Sequence, residues 1–357
     1  MMAGCISSDD DDDDDGVANG DDVDPDEADV SAAWIYFAEP GDLGWTFAHN
    51  EGYEATVAAF EDRDEELEHT AVEDVAAANV EETAVSFADD GFDIIFGASA
   101  DFTDPMAAAS EQFPDVAFEV ASGIDTGDNH GSYYGKIYHA RYLVGYAAGL
   151  VTETNAIGYV AANPVSTVYQ DINGFSSGVQ DANPDATVYL NWTNDWFDPS
   201  LEAETAQTLI DDHDVDVMAQ HQDSPSALET ATENGRWASG FNADMSEFAS
   251  DEGEYLMSPI WNWEEVYIER IEAVMNDEWE AGMTFPGMES GVADISDPGP
   301  AVPDDVVDEV MDIRDDILDG NGDEIVWGGT VFEDWSDEEI LFGSDTLGIE
   351  NIDGDEI

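Results

Sequence analysis

The chain has 357 residues, with 87 Asp and Glu against six Lys and Arg, for a formal net charge of −81. Six cations cannot build the basic stripe that releases counterions from nucleic acid, nor a patch that docks an anionic membrane, so both partner classes are excluded. The chain is 43% hydrophobic and 11% aromatic, enough for a core at a length that suits one large or two ordinary domains.

The single cysteine, Cys5, excludes an intramolecular disulfide. It sits in Ala3-Gly4-Cys5, ahead of Ser7, Ser8 and the run Asp9 to Asp15. Small residues before a Cys and a polar tether after it match the end of a lipobox, whose Cys is lipidated. The usual Leu is Met2 here, and the charged and apolar segments of a signal peptide do not precede it. The pattern predicts a protein tethered to the outer face of the cell membrane by lipid at Cys5. No run of about 20 apolar residues predicts a membrane-spanning helix. Residues 6–30 read as a solvated linker.

From residue 31 onward strand and helix patterns alternate. Ala33-Trp34-Ile35-Tyr36-Phe37 predicts a buried strand, followed by a Gly-containing loop at 39–45 and a helix over about 48–63. Asp93–Gly97 predicts a strand, a helix runs through Met106 and Gln112, and Asp115–Val120 predicts a third strand. A long helix is expected over about 134–151, its Gly135, Gly145 and Gly149 indicating close packing. The pattern then repeats, with strands at 157–160, 187–192, 215–219 and 237–241 and helices at 169–180, 201–211 and 226–234. Helices at about 264–277 and 302–318 bring no strand set of their own. Two consecutive β-α-β sets predict two parallel-sheet lobes with the chain crossing between them more than once. The expected limits are a tether at 1–30, one lobe from 31–153 with about 254–290, a second from 154–253 with about 291–340, and an acidic tail at 341–357.

The acids are spread along the whole chain, and Lys is nearly absent. Such charge repels itself in dilute buffer, but at molar salt the Debye length falls to about 3 Å and the repulsion is screened. The composition is that of a protein adapted to near-saturated salt, as in haloarchaea. In such a chain a lone Asp or Glu says little about function. No dinucleotide fingerprint, P-loop, zincin motif or nucleophile elbow is present, and the six histidines have no convincing metal spacing. No cofactor and no metal are expected, and an enzyme such as a nucleoside hydrolase lacks a base or metal cluster above background. Lys136 and Arg141, two of only six cations, share one helix; an ion pair with surrounding acids is their expected role.

The aromatics carry more information. Trp45 follows the first strand, Trp192 and Trp196 follow a strand of the second set, and Trp261 and Trp263 fall at an expected crossing between lobes. Ligands of open α/β sheets bind at the carboxyl ends of strands. Tryptophans on facing loops there make a slot for a flat ring, and stacking contributes roughly 1–3 kcal/mol per base. Asp104, Gln220, His221, Asp223, Asn242 and Asp244 are the polar residues at strand ends that are candidates to read a ring edge or a sugar.

These segments resemble the basic membrane protein family of substrate-binding lipoproteins, which includes purine nucleoside receptors of ABC transporters. The resemblance covers about residues 32–290 and rests on Gly41-Asp42-Leu43-Gly44-Trp45, Gly135–Gly145, Trp192–Pro199, Gln220–Pro225 and Ser258–Trp263 in that order. It implies a periplasmic-binding-protein type I fold, α/β, with two doubly wound parallel-sheet lobes joined by a multi-strand hinge. It also implies capture of a purine base or nucleoside for an ABC permease and ATPase, by a protein expected to be monomeric. The family's aromatic clamp falls on Trp45, with Asp42 beside it, and on Trp196; its ribose acid falls on Asp104. The family's Gly-Val-Asp becomes Gly240-Phe241-Asn242, and its ribose-contacting Lys has no counterpart near Trp261. Both changes favour a free base such as adenine, with Asp223 or Asp244 accepting from its amine or ring N–H; general loss of Lys in a high-salt protein is the alternative origin of the second. A surface receptor of the same fold that signals without transport is the other functional class implied.

Overall fold

The structure, a computed structural model, describes residues 28–41, 43–250 and 255–354. Cys5 and Asp42 lie outside the described residues.

The first sheet is built from β1 (Val30–Ile35), β2 (Leu67–Val72), β3 (Ile94–Gly97), β4 (Ala117–Ala121), β5 (His130–Tyr133) and β11 (Met283–Thr284), in the order β11-β5-β4-β3-β1-β2. Every pairing in it is parallel. The alternation of β1 shows why both faces are covered. Ala33 and Ile35 pack with Val80 and Ala84 of α2 (Ala77–Asp90) and Met106 of α3 (Thr103–Ser110). Trp34, on the other face, packs with Phe60 of α1 (Trp45–Glu61) and Tyr267 and Ile271 of α8 (Glu264–Met275). A strand buried on both faces reads as a continuous apolar run.

The second sheet joins β6 (Ala156–Ala161), β7 (Thr187–Trp192), β8 (Val217–Gln220), β9 (Trp237–Ala238) and β13 (Ile352–Asp353) in the order β13-β7-β6-β8-β9, again all parallel. One face packs on α6 (Pro199–His213) and α7 (Ser226–Glu233) through Leu209, Leu228 and Ala231. The other packs on α4 (Tyr138–Val151) and α5 (Ser166–Ala182) through Leu143, Ile172 and Phe175. The two helices lie so close that a Cβ at Gly145 would run into the Phe175 carbonyl, as the glycine pattern of α4 suggests.

Three segments cross between the sheets: 134–137 into α4, 255–263 into α8, and 285–293 out of β11. The latter two pair as the antiparallel ribbon of β10 (Pro259–Trp261) and β12 (Ala293–Ile295). The chain continues through α9 (Asp304–Asp316), α10 (Gly322–Trp327) and α11 (Asp337–Gly343). Residues 341–357, read from sequence as a tail, include β13, whose Ile352 pairs with Val188.

Two elements differ in extent from the sequence reading. α4 begins at Tyr138 and not at Tyr134, because the preceding backbone continues the sheet: Tyr134 N–H donates to Thr284 O and Lys136 N–H to Pro286 O. The strand expected over 237–241 ends at Ala238, where the chain turns away and Asn242 takes a positive φ of 69°.

Candidate functional site at the junction of the two sheets

The carboxyl ends of β1 and β3 bring up Trp45 and Ala98. The Trp45 indole N–H donates to the Ala98 carbonyl at 2.8 Å, which fixes the ring. Around it stand His49 (centroid distance 4.5 Å), Trp263 (5.5 Å), Trp261 (6.0 Å) and Tyr134 (6.2 Å, interplanar angle 26°). Trp261 and Trp263 stack on each other at 4.3 Å and 18°, residues two apart along an extended segment lying on one face. Trp263 lies just beyond β10, at the start of α8. His49 stacks on Trp263 at 4.5 Å, and its Nδ1 meets the Tyr267 hydroxyl at 2.5 Å. Burial lowers the His49 pKa well below its ordinary value, so the ring is neutral.

The second sheet contributes Asp223 from the loop after β8. Its Oδ1 accepts from the Trp45 backbone N–H (3.0 Å) and from Asn242 Nδ2 (2.8 Å). Asn242 is fully buried, and its Oδ1 accepts from Trp261 Nε1 at 3.1 Å. The result is a continuous chain, Trp45–Asp223–Asn242–Trp261, that links both sheets and the crossing ribbon. Burial raises the Asp223 pKa to about 6, and the hydrogen bonds from Trp45 and Asn242 limit the rise.

The structure therefore brings together Trp45, Asp223, Asn242 and Trp261. Trp196 stands on the second lobe, 45% exposed and 6.1 Å from His221. Asn163 Oδ1 accepts from its indole at 3.0 Å, in the amide orientation that satisfies both ends. Trp192 instead packs against Tyr169 of α5. Asp104 is exposed in the first turn of α3. Asp244 is turned away from the group: its carboxylate accepts from the Tyr255 hydroxyl (3.1 Å) and the Ser246 N–H (2.9 Å), bracing a buried knot with Ser258 and Ser296. Lys136 pairs with Asp323 (2.6 Å) and Asp337 (2.7 Å), fastening α10 and α11 to the body. Two surface hollows, of about 420 and 350 Å³, lie beside β7 and beside α10, away from this junction. Among the described residues no group of three or more His, Cys, Asp or Glu is arranged to hold a metal ion, and no helix is long and apolar enough to cross a membrane.

Sequence reasoning did not bring Tyr134 or His49 into the site. Tyr134 lies just beyond β5, and His49 lies one turn into α1. For Tyr134, position after a strand was the available signal, but β5 itself, His130–Tyr133, reads as polar.

Comparison with known proteins agrees with this architecture. Residues 30–323 match the family model described as ABC transporter substrate-binding protein PnrA-like. The chain is 42% identical over 326 residues to the "Putative ABC transporter glucose-binding protein TsgA13" of Haloferax volcanii, covering 91% of this chain and 81% of that protein. It is 37% identical over 281 residues to the "Purine-binding protein BAB2_0673" of Brucella abortus, covering 78% of each. Among solved structures, an ABC transporter solute-binding protein from Conexibacter woesei superimposes with a TM-score of 0.68 at 18% identity, covering 82% of this chain and 97% of that one. One from Aeropyrum pernix gives 0.66 at 17%, covering 90% and 100%. The periplasmic-binding-protein type I fold thus holds, and the chain belongs to the PnrA-like substrate-binding proteins of ABC transporters, extracytoplasmic solute-binding components that work with a permease and an ATPase.

Proposed function

We propose that this protein captures a purine base or nucleoside between its two lobes and hands it to an ABC importer. The observation that carries the reading is the Trp45–Asp223–Asn242–Trp261 chain, in which aromatic faces and a carboxylate converge where the sheets meet. A purine ring stacks on an aromatic face, and a carboxylate with a free oxygen accepts from an exocyclic amine or ring N–H. The 37% identical relative named as a purine-binding protein supports this ligand class. Closure of the lobes about the segments at 134–137, 255–263 and 285–293 is the motion that delivers the solute. A monomer tethered by lipid at Cys5 and folded in high salt completes the proposal.

A hexose is the second reading, favoured by the 42% identical relative named as a glucose-binding protein. Titration of tryptophan fluorescence in about 3 M salt separates them, using adenine, guanine, adenosine, guanosine, riboflavin, glucose and ribose. Saturable quenching by purines and not by glucose supports the first reading; the reverse supports the second.

A further inference from the structure

A single buried carboxylate joins the two second-lobe loops that carry Trp196 and Asp223. Glu202 lies in the first turn of α6 and has no solvent exposure. Its Oε1 accepts from the Asp198 N–H at 2.9 Å, and its Oε2 accepts from the Ser224 hydroxyl. Asp198 is the N-cap of α6, two residues after Trp196, and Ser224 directly follows Asp223. The loops are tied at other points as well. Gln222 Nε2 donates to Thr193 Oγ1 at 2.7 Å, and Gln220 Nε2 donates to the Ser224 carbonyl at 2.7 Å. The Asp223 N–H donates to the Trp196 carbonyl at 3.5 Å.

Capping of α6 does not require this placement. Glu339 reaches back to the Ser336 N–H at 2.9 Å in the same manner at the start of α11, and it does so from the exposed surface. Glu119 and Asp171, buried as completely as Glu202, each face an arginine. Glu202 is held by an amide and a hydroxyl, and a carboxylate kept dry by neutral donors is costly. Burial raises its pKa to about 7; the Ser224 and Asp198 hydrogen bonds oppose the rise, and the charges of Asp223 and Asp198 add to it. What the arrangement secures is the spacing of the loops. Asp223 has no slack, since its Oδ1 meets the Trp45 N–H and its Cβ presses against Gly44. A shift of Ser224 moves the Asp223 carboxylate off Trp45, and a shift of Asp198 moves Trp196.

We propose that Glu202 is a positioning residue of the interlobe site, which sets the distance between Trp196 and the Asp223 carboxylate and thereby the fit of the solute on the second lobe. The inference rests on the interlobe site of the preceding section. Glu202→Gln preserves the joint, because its amide oxygen accepts from Asp198 and its amide N–H donates to the Ser224 hydroxyl. Glu202→Ala removes both bonds, and Ser224→Ala removes one.

Two readouts on the full chain in about 3 M KCl test this. The first is calorimetric titration with adenine, adenosine and glucose. The second needs no solute: acrylamide quenching of tryptophan fluorescence, in which the exposed Trp196 is quenched ahead of the more buried tryptophans. Trp196→Phe identifies its share. Glu202→Ala and Ser224→Ala are expected to bind the tightest probe at least about tenfold more weakly and to show altered quenching at Trp196. Glu202→Gln is expected to stay within about threefold in affinity and to quench as the wild type does. Ser224→Ala keeps the Asp198 bond, so it carries the test if Glu202→Ala does not fold. Folded Ala variants that lose only melting temperature, with wild-type affinity and quenching, overturn the proposal. Binding weakened as much in Glu202→Gln as in Glu202→Ala also overturns it, because the two bonds would not then be the joint. If no probe binds the wild type, the purine and hexose readings fall and quenching alone decides: a change in the Ala variants but not in Glu202→Gln upholds the joint, and no change in any variant overturns it.

Discussion

The backbone N–H of Trp45 donates to the carboxylate of Asp223 across 3.0 Å, joining residues 178 positions apart and on different lobes. Trp45 is the first residue of α1, whose preceding Gly44 offers no side chain to cap it. Asp223 therefore supplies from the opposite lobe the capping acceptor that a helix N-terminus ordinarily takes from its own N-cap, and its charge suits the positive end of the helix dipole. The same bond places the start of α1 and the floor of the second lobe in one polar unit.

Gly44 makes that approach possible. Its φ is +96°, and a Cβ there would lie 2.7 Å from the Asp223 Cβ. Gly44→Ala combines backbone strain of about 1–3 kcal/mol with a clash between the lobes. Gly41→Ala is the control, since Gly41 also has a positive φ (+60°) but open space around it. The expected outcome of solute titration is a loss of affinity of about tenfold or more for Gly44→Ala, well beyond that for Gly41→Ala. Equal affinities would mean that the Gly44–Asp223 contact does not govern closure.

In the proposed reading Trp45 provides the stacking face. Trp45→Ala is expected to weaken solute binding by about tenfold or more, from a stacking contribution of roughly 1–3 kcal/mol, with the far-UV circular dichroism of the wild type retained. Unchanged affinity in a folded variant would remove the stacking model.

In the proposed reading Asp223 gives binding a pH dependence. With its pKa raised to about 6 by burial, the carboxylate is ionised above that pH and protonated below it. If it accepts from the solute, affinity is expected to fall as pH drops through about 6. Asp223→Asn should bind weakly and show little change between pH 5 and 8, read by the same titration.

Glu119 gives stability a different one. It is fully buried in β4; Trp279 Nε1 donates to it at 2.9 Å and Arg270 stands 3.5 Å away. Burial raises its pKa to about 7, with Arg270 and Trp279 opposing the rise. The folded state thus holds this proton more tightly than the unfolded chain, whose Glu titrates near 4.3. The contribution to stability is greatest below about pH 4 and falls as pH rises to about 7, by on the order of 3 kcal/mol. Denaturant midpoints in high salt should show that slope in the wild type and a flatter one in Glu119→Gln.

A charge of −81 repels itself in dilute buffer. Lowering salt from molar to about 0.1 M lengthens the Debye length from about 3 to 10 Å and is expected to unfold the protein, seen as loss of near-UV circular dichroism. Full stability at low salt would refute the high-salt adaptation.

The core strands and the order of two α/β sets were legible because their signals are local. β1, β3, β4, β6 and β7 are buried on at least one face and read as apolar runs. β2 is a half-exposed edge strand, Leu67–Val72, and β5 is the polar His130–Tyr133. Neither has the periodicity that announces a strand, because neighbouring elements fix them.

The amino-acid sequence by itself determined the parallel α/β architecture, the positions of Trp45 and Trp261 at strand ends, and the membership in a solute-binding family. Only the tertiary structure decided what each carboxylate touches. Among 87 acids, Asp104 is exposed on α3 and Asp244 is committed to Tyr255, whereas Asp223 bridges the lobes and Asp171 is buried with Arg141 and His221. A carboxylate has the same local signature wherever it occurs; what distinguishes one is how much water it loses and which distant donors replace that water, and both are set by folding.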